Sequence, residues 1–205
     1  LVVCGRVGEA GTEPLIAGLT DADAATQVAL LHALARIGNE AALSQTVSLT
    51  EATETVVQDE AVRLLASWED DSLVAVLQKI AQSDKQQHRV LALRGLIRIA
   101  APGKGKAGKV ALLRQVLETS LRIDEKRLAL GALGGIPTVE ALELAAEELQ
   151  SPALSQEAAL TVARIAAKIG EEHKSKRDAV VQQAFKVIKN EQIRTRVDEI
   201  LKSKS

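Results

Sequence analysis

An all-α solenoid of about six consecutive helix pairs is the fold class that this 205-residue sequence predicts. Three observations point to it. A short signature recurs along the chain: an apolar helical stretch closing on a basic or small residue, then Ile or Val, then Gly, Ala or Pro. The hydrophobic set, 46% of the residues, is almost all Ala, Leu, Val and Ile, with one Trp, one Phe and no Tyr or Met. Small aliphatic side chains with good helix propensity suit thin, layered helix packing, whereas a deep globular core draws on aromatic area. Finally, no run of alternating β-branched residues reads as a strand.

The signature appears as Gly5-Arg6-Val7-Gly8, Ala35-Arg36-Ile37-Gly38, Ile97-Arg98-Ile99-Ala100, Gly134-Gly135-Ile136-Pro137 and Ala167-Lys168-Ile169-Gly170. Its closing residues are separated by 30, 62, 37 and 33 positions. The double-length gap predicts a degenerate copy near position 69, where the chain reads Ser67-Trp68-Glu69-Asp70. Helical patterning at such a period means stacked helix pairs, each unable to bury its apolar face alone.

In chain order, the first pair is expected at 12–19 and 24–37, with Asp21 and Asp23 as N-cap candidates and Gly38 as a left-handed stop. The second pair is expected at 41–51 and 55–67, the third at 72–82 and 86–100, the latter with Asp84 as a cap candidate. The fourth, at 107–120 and 124–134, opens its second helix near Asp124 and stops before Pro137. The fifth, at 138–150 and 155–169, is broken at Pro152, has Ser155 as a cap candidate and Gly170 as a stop. The sixth is expected at 174–189 and 191–202, and Pro102 marks the break after the third.

The run Gly11-Thr12-Glu13-Pro14-Leu15-Ile16-Ala17-Gly18-Leu19-Thr20-Asp21, followed by a helix ending Ala35-Arg36-Ile37-Gly38, resembles the unit of the HEAT and HEAT-like repeats, armadillo-type α-solenoids. His88-Arg89-Val90 is similar to the Val-Arg start of that family's second helix, with His in place of Val; Gln27 stands where the first copy would have Arg, and the copy at Trp68 is shortened. The resemblance covers essentially the whole chain. It implies one domain over 1–205, a right-handed α-α superhelix whose second helices line a concave face used mostly for protein binding. Fold does not fix function. With no Met, the sequence is expected to be a piece of a longer one, opening on the tail of an earlier repeat at 2–8.

Counting back from each closing residue compares equivalent positions. Leu31, Leu34 and Ile37 cluster on one side of their helix, the core side. The positions six and two back point the opposite way and hold His32 and Arg36, Arg94 and Arg98, Gly131 and Gly135, and Arg164 and Lys168, with Arg6 matching in the partial first copy. Stacked helices sit about 8–10 Å apart, roughly one Debye length at physiological salt. The expectation is a basic stripe interrupted at Gly131 and Gly135, where a partner could approach closely. A bland reading competes, since a cation near a helix end complements the macrodipole and exposed Arg is ordinary. Position six back lies too far from the end for the dipole, so Arg94 and Arg164 are the stronger candidates. Arg89, at its helix start, is expected to pair with a loop Asp or Glu. Trp68, the one Trp, is read as core filler over an exposed anchor.

Net charge is −1, yet residues 1–72 carry three basic and twelve acidic residues, and residues 79–127 twelve basic and four acidic. Such asymmetry bears on association, not on fold. Gly103-Lys104-Gly105-Lys106-Ala107-Gly108-Lys109 has phosphate-loop spacing, but Val110 follows where Ser or Thr should hold magnesium, and a helix precedes it instead of a strand. His32, His88 and His173 are isolated, Cys4 is alone, and Glu147-Glu148 and Glu171-Glu172 are read as solvated surface. The sequence therefore assigns no catalytic residue, metal or cofactor.

The function expected is a non-enzymatic scaffold for a protein partner, with an acidic segment suited to the basic middle. It is expected to be monomeric in isolation and not inserted in a membrane, since no apolar run nears about 18 residues. Nucleic-acid binding is the second reading, resembling HEAT-like DNA glycosylases, but two aromatics offer little stacking and the bulk charge is not basic. The third is an accessory module of an enzyme, resembling HEAT-like lyases of phycobiliproteins. No compartment is named by the sequence; for a bacterial repeat protein it would be cytoplasm or periplasm.

Overall fold

The computed structural model describes residues 4–101 and 108–202, with side chains from residue 11 onward. These residues form twelve α-helices and four single 3-10 turns, and no strand occurs among them. The helices are α1 (Cys4–Gly18), α2 (Ala24–Ile37), α3 (Glu40–Ser48), α4 (Thr55–Ser67), α5 (Val74–Ile80), α6 (Gln86–Ala100), α7 (Lys109–Thr119), α8 (Ile123–Leu133), α9 (Val139–Glu147), α10 (Ser155–Ala166), α11 (Lys174–Val187) and α12 (Glu191–Lys202). The all-α solenoid class of six helix pairs is the one the period predicts. The chain separates into two compact units, Leu1–Gly95 and Leu96–Ser205, with the boundary inside α6.

Each unit is built in two layers. In the first, α2 packs on its pair-mate α1 and on the next second helix, α4, while α1 touches α3 and α3 touches α4. In the second, α8 packs on α10 and α10 on α12, while α7 meets α9 and α9 meets α11. Residues one period apart in the chain are thereby neighbours in space. Leu31, Val57, Ala61 and Leu64 form one buried cluster between α2 and α4, and Leu19, Leu34 and Ala42 another between the pairs. Ile37 is only half-buried, at the last turn of α2. The closest approach is at Gly95 of α6, where an added Cβ would stand 3.2 Å from the Ala66 Cα of α4 and 3.0 Å from Leu77.

Several expected boundaries move. α1 runs unbroken from Cys4 to Gly18, so Gly8 ends no helix and no separate helix starts at 12. A glycine inside a helix costs only about 1 kcal/mol, and a left-handed glycine stop needs the positive φ that, among the described residues, only Gly38 and Gly108 adopt. α8 and α10 end at Leu133 and Ala166, short of the expected 134 and 169. Their last turns tighten, with Gly135 N–H donating to the Ala132 carbonyl and Lys168 N–H to that of Ile165. Gly170 is extended (φ −66°, ψ 159°) and begins a 3-10 turn instead of closing a helix. Gly38 does close α2, with φ 65° and its N–H on the Leu34 carbonyl.

Of the cap candidates, Asp23 caps α2 by accepting from Thr26 N–H at 2.8 Å. No capping bond to Asp21 occurs among the described residues, and Asp84 accepts from the Arg89 side chain through its backbone carbonyl instead of capping α6. Asp124 and Ser155 fall inside the first turns, because α8 and α10 start one residue earlier or at that residue. The caps not expected are Asn39, Thr138 and Asn190, which accept from Ala42, Ala141 and Gln192 N–H. Pro137 and Pro152 lie between helices, where a missing N–H costs nothing, while Pro14 is carried inside α1; Pro102 lies outside the described residues.

A second regularity ties the first three pairs together. Gln27, Gln58 and Arg89 occupy the fourth position of α2, α4 and α6, 31 residues apart. Their side chains donate to the carbonyls of Leu19 at 3.0 Å, Thr50 at 2.8 Å and Ser83 at 2.8 Å, at the end of the preceding helix. Those carbonyls have no partner within their own helix. Arg89 thus binds the loop through its carbonyls, Ser83 and Asp84, and not through a carboxylate as expected.

Candidate functional site

Some cations are closed by carboxylates and others are not. On the first helices, Lys79 of α5 is paired with Glu51 at 2.7 Å, Arg114 of α7 with Glu147 at 2.8 Å, and Lys176 of α11 with Glu143 of α9. Arg177 of α11 is held by Glu171 at 2.7 Å and Asp178 at 2.9 Å. These pairs bridge adjacent repeats or a helix and its entry turn. On the second helices, Arg63 of α4 is paired with Glu60, while Arg36, Arg127 and Arg164, and Lys168 just past the end of α10, make no side-chain hydrogen bond or ion pair among the described residues.

In the first unit, His32 and Arg36 are exposed on α2 while Leu31 and Leu34 are fully buried. His32 is not open to a ligand without competition, since its Nε2 lies 2.9 Å from Glu60 of α4. Glu60 is also gripped by Arg63, whose Nε donates at 2.8 Å. The neighbouring Asp59 reaches the other way, to the buried His88 of α6 at 2.7 Å, with Lys85 at 3.4 Å. The His88 hydrogen bond holds the Asp59 carboxyl below its ordinary value, helped by the charge of Lys85. The Arg63 hydrogen bond does the same for Glu60, with a further contribution from His32. Adjacent carboxylates of α4 therefore serve as ties to the helices on both sides. Arg94 is exposed on α6 with Leu93 buried behind it. A cavity of about 380 Å³ opens beside these residues, walled by Val62, Val76 and Ile80. Its polar groups are spoken for: Gln58 by the Thr50 carbonyl, Lys79 by Glu51 and His88 by Asp59.

In the second unit, Arg98 is half-buried at the end of α6, with Leu96 and Ile99 buried. Gly131 is exposed in α8, and an added Cβ there would meet nothing within 4 Å. Gly134 is different: the Cδ of Arg164 lies 3.2 Å from where its Cβ would be, so the stem of Arg164 packs on the last turn of α8. Gly135 and Lys168 lie beyond the ends of their helices. The expected i, i+4 pairing on one helix therefore holds for His32 with Arg36 and Arg94 with Arg98, and fails for Gly131 with Gly135 and Arg164 with Lys168. Arg122 is closed by Asp124 at 3.1 Å and the fully buried Glu125 at 3.4 Å. The exposure of Leu128 and the role of Glu60 escape the sequence register, since neither occupies the positions six and two back. Trp68 is half-buried at the C-cap of α4. Arg6, Cys4 and most of the glycine-lysine run at 103–109 lie outside the described side chains; Lys109 donates to the Ala101 carbonyl. No group of three or more metal-ligating side chains occurs among the described residues, and no described helix is long and apolar enough to cross a membrane.

No protein-family profile matches the chain, and no curated protein sequence does. Among solved structures it is similar to an engineered protein from the Northeast Structural Genomics Consortium, at 24% identity and a TM-score of 0.56, over 95% of this chain and 96% of the other. A second engineered protein from the same consortium is 25% identical with a TM-score of 0.55, over 97% of this chain. The chain spans 59% of that second protein's length. At these identities the likeness speaks to the fold.

Proposed function

We propose that this chain is a non-enzymatic scaffold that holds a protein partner against the exposed side of its second helices. The observation that carries this reading is a set of cations on or just past the second helices that no described carboxylate answers. Lys79, Arg114, Lys176 and Arg177 on the first helices, and Arg63 on α4, are neutralised by carboxylates, whereas Arg36, Arg127, Arg164 and Lys168 meet no carboxylate among the described residues. Surface ion pairs contribute little stability. Unanswered cations matter more for where an acidic partner is attracted. Solenoids present such extended faces, and the HEAT-like resemblance implies the same use. The test is a pull-down with the full chain, repeated with Arg36→Glu and Arg127→Glu, both at exposed positions. Loss of partners on charge reversal is expected; retention of every partner by both variants would return these residues to plain surface.

Nucleic-acid binding is the second reading, favoured by the same open cations. Against it, neither α8 nor α10 carries an aromatic on which a base could stack. A gel shift at low salt separates the two readings.

A further inference from the structure

We infer that the exposed stripe of α8, with the outer stripe of α10, is a docking subsite for an acidic peptide segment carrying one bulky apolar anchor. This rests on the scaffold reading above and gives a partner chemistry to one stretch of it. The stripe of α8 is unusual in composition. Its buried side holds Ala129, Leu130 and Leu133, and the opposite positions 124, 127, 128 and 131 are all exposed. Leu128 stands among them at 48% exposure, one of three large apolar side chains so placed among the described residues. A single exposed leucine needs no explanation. This one has Gly131 a turn further on, where no side chain covers the backbone and nothing lies within 4 Å of a Cβ. From α10, Leu160 is half-buried, one turn before Arg164.

Electrostatics choose the occupant. The carboxylates on these two stripes, Asp124 and Glu157, sit at the N-terminal ends of the helices, and Asp124 is already bound by Arg122. The open cations, Arg164 and Lys168, sit at the C-terminal end, with Arg127 midway. Arg164 is fixed there because its stem lies on Gly134. The polarity orients a segment whose anchor covers Leu128 and Gly131 and whose carboxylates meet Arg164 and Lys168. Helix C-termini repel anions, so these side chains must supply the attraction.

The experiment uses the full chain and a short fluorescein-labelled peptide with one central Leu flanked by Glu, read by anisotropy at low ionic strength. Gly131→Glu and Lys168→Glu are the variants, since both positions are exposed and Gly131 has room for a side chain; circular dichroism checks folding. Either substitution, or changing the peptide's Leu to Ser or its Glu to Gln, is expected to weaken binding about tenfold or more, roughly 1.4 kcal/mol. Affinity unchanged by both variants but reduced by Arg36→Glu would remove this subsite and leave the scaffold reading standing. Affinity unchanged by all three would remove both. No binding of the peptide to the parent chain overturns the subsite, whatever the pull-down shows. A short DNA of matching charge that binds more tightly than the peptide overturns it in favour of nucleic acid.

Discussion

At Gly95 a single hydrogen stands where every other residue would place a carbon 3.2 Å from the Ala66 Cα. Alanine is a better helix former than glycine by about 1 kcal/mol, so on an open helix Gly95→Ala would stabilise. Here the neighbour is backbone and cannot step aside. Overpacking of this kind costs about 1–3 kcal/mol, and we expect Gly95→Ala to lower the melting temperature, as differential scanning calorimetry would read. Gly131→Ala, with open space, should raise it. The carboxylates of α4 make a second residue-scale prediction. Asp59 and Glu60 are both held below their ordinary values by hydrogen bonds from His88 and Arg63. The fold therefore favours their ionised forms, and their contribution is full above the unfolded carboxylate range of about pH 4. It is lost as pH falls through the lower folded values. Melting temperature should drop between about pH 5 and pH 3, with a shallower drop in Asp59→Asn; parallel curves for the two proteins would contradict the assignment.

The helices are closed by a small vocabulary of devices. Gly38 ends α2 in the left-handed region at φ 65°, a conformation that costs a side-chain-bearing residue about 1–2 kcal/mol. Gly38→Val should destabilise by about that amount, measured by urea unfolding with an unchanged m-value. Gln27, Gln58 and Arg89 act at the other end of the second helices, anchoring them to the carbonyls that finish the first. Removing one such bond costs about 1 kcal/mol. Gln58→Ala is expected to show it, and Gln58→Arg, which restores a donor of the kind present at Arg89, should recover part of the loss. These positions explain why Gln stands at 27 without penalty where the family resemblance leads one to expect Arg: the amide and the guanidinium both donate to a carbonyl.

For the molecule as a whole, the ion pairs between first helices are exposed. Lys79 and Glu51 are 79% and 73% accessible, so each such pair is worth less than about 1 kcal/mol. High salt should then move the melting temperature by no more than about 2–4 °C per pair lost, whereas binding of an acidic partner should weaken steeply over the same salt range. A fall in stability as steep as the fall in binding would mean that charge holds the units together internally and is not held in reserve for a partner. The solenoid logic places stability in aliphatic layers, such as Leu31 with Val57 and Leu64, and those do not respond to salt.

Four of the six second helices, 24–37, 55–67, 86–100 and 191–202, begin and end where the period and the capping residues place them. This much is local and repetitive, so chain order alone carries it: apolar spacing sets the buried face, and residues such as Asp23 and Gly38 set the ends of α2. Gly8 and Gly170 mark where local reasoning stops, because a glycine permits a helix end without imposing one. Which cations are neutralised by a neighbouring repeat was undecidable along the chain, unlike local pairs such as Arg63 with Glu60. Arg114 and Glu147 are 33 positions apart, His88 and Asp59 29, and His32 and Glu60 28, and stacking alone brings each pair within reach. The same stacking leaves Arg164 lying on Gly134 without a carboxylate beside it. Composition and period thus determined the helices and their buried faces, because those depend on neighbours within a turn or two. Whether a surface charge is closed by a neighbouring repeat was decided by the tertiary structure, because such a salt bridge depends on what that repeat presents at the same height.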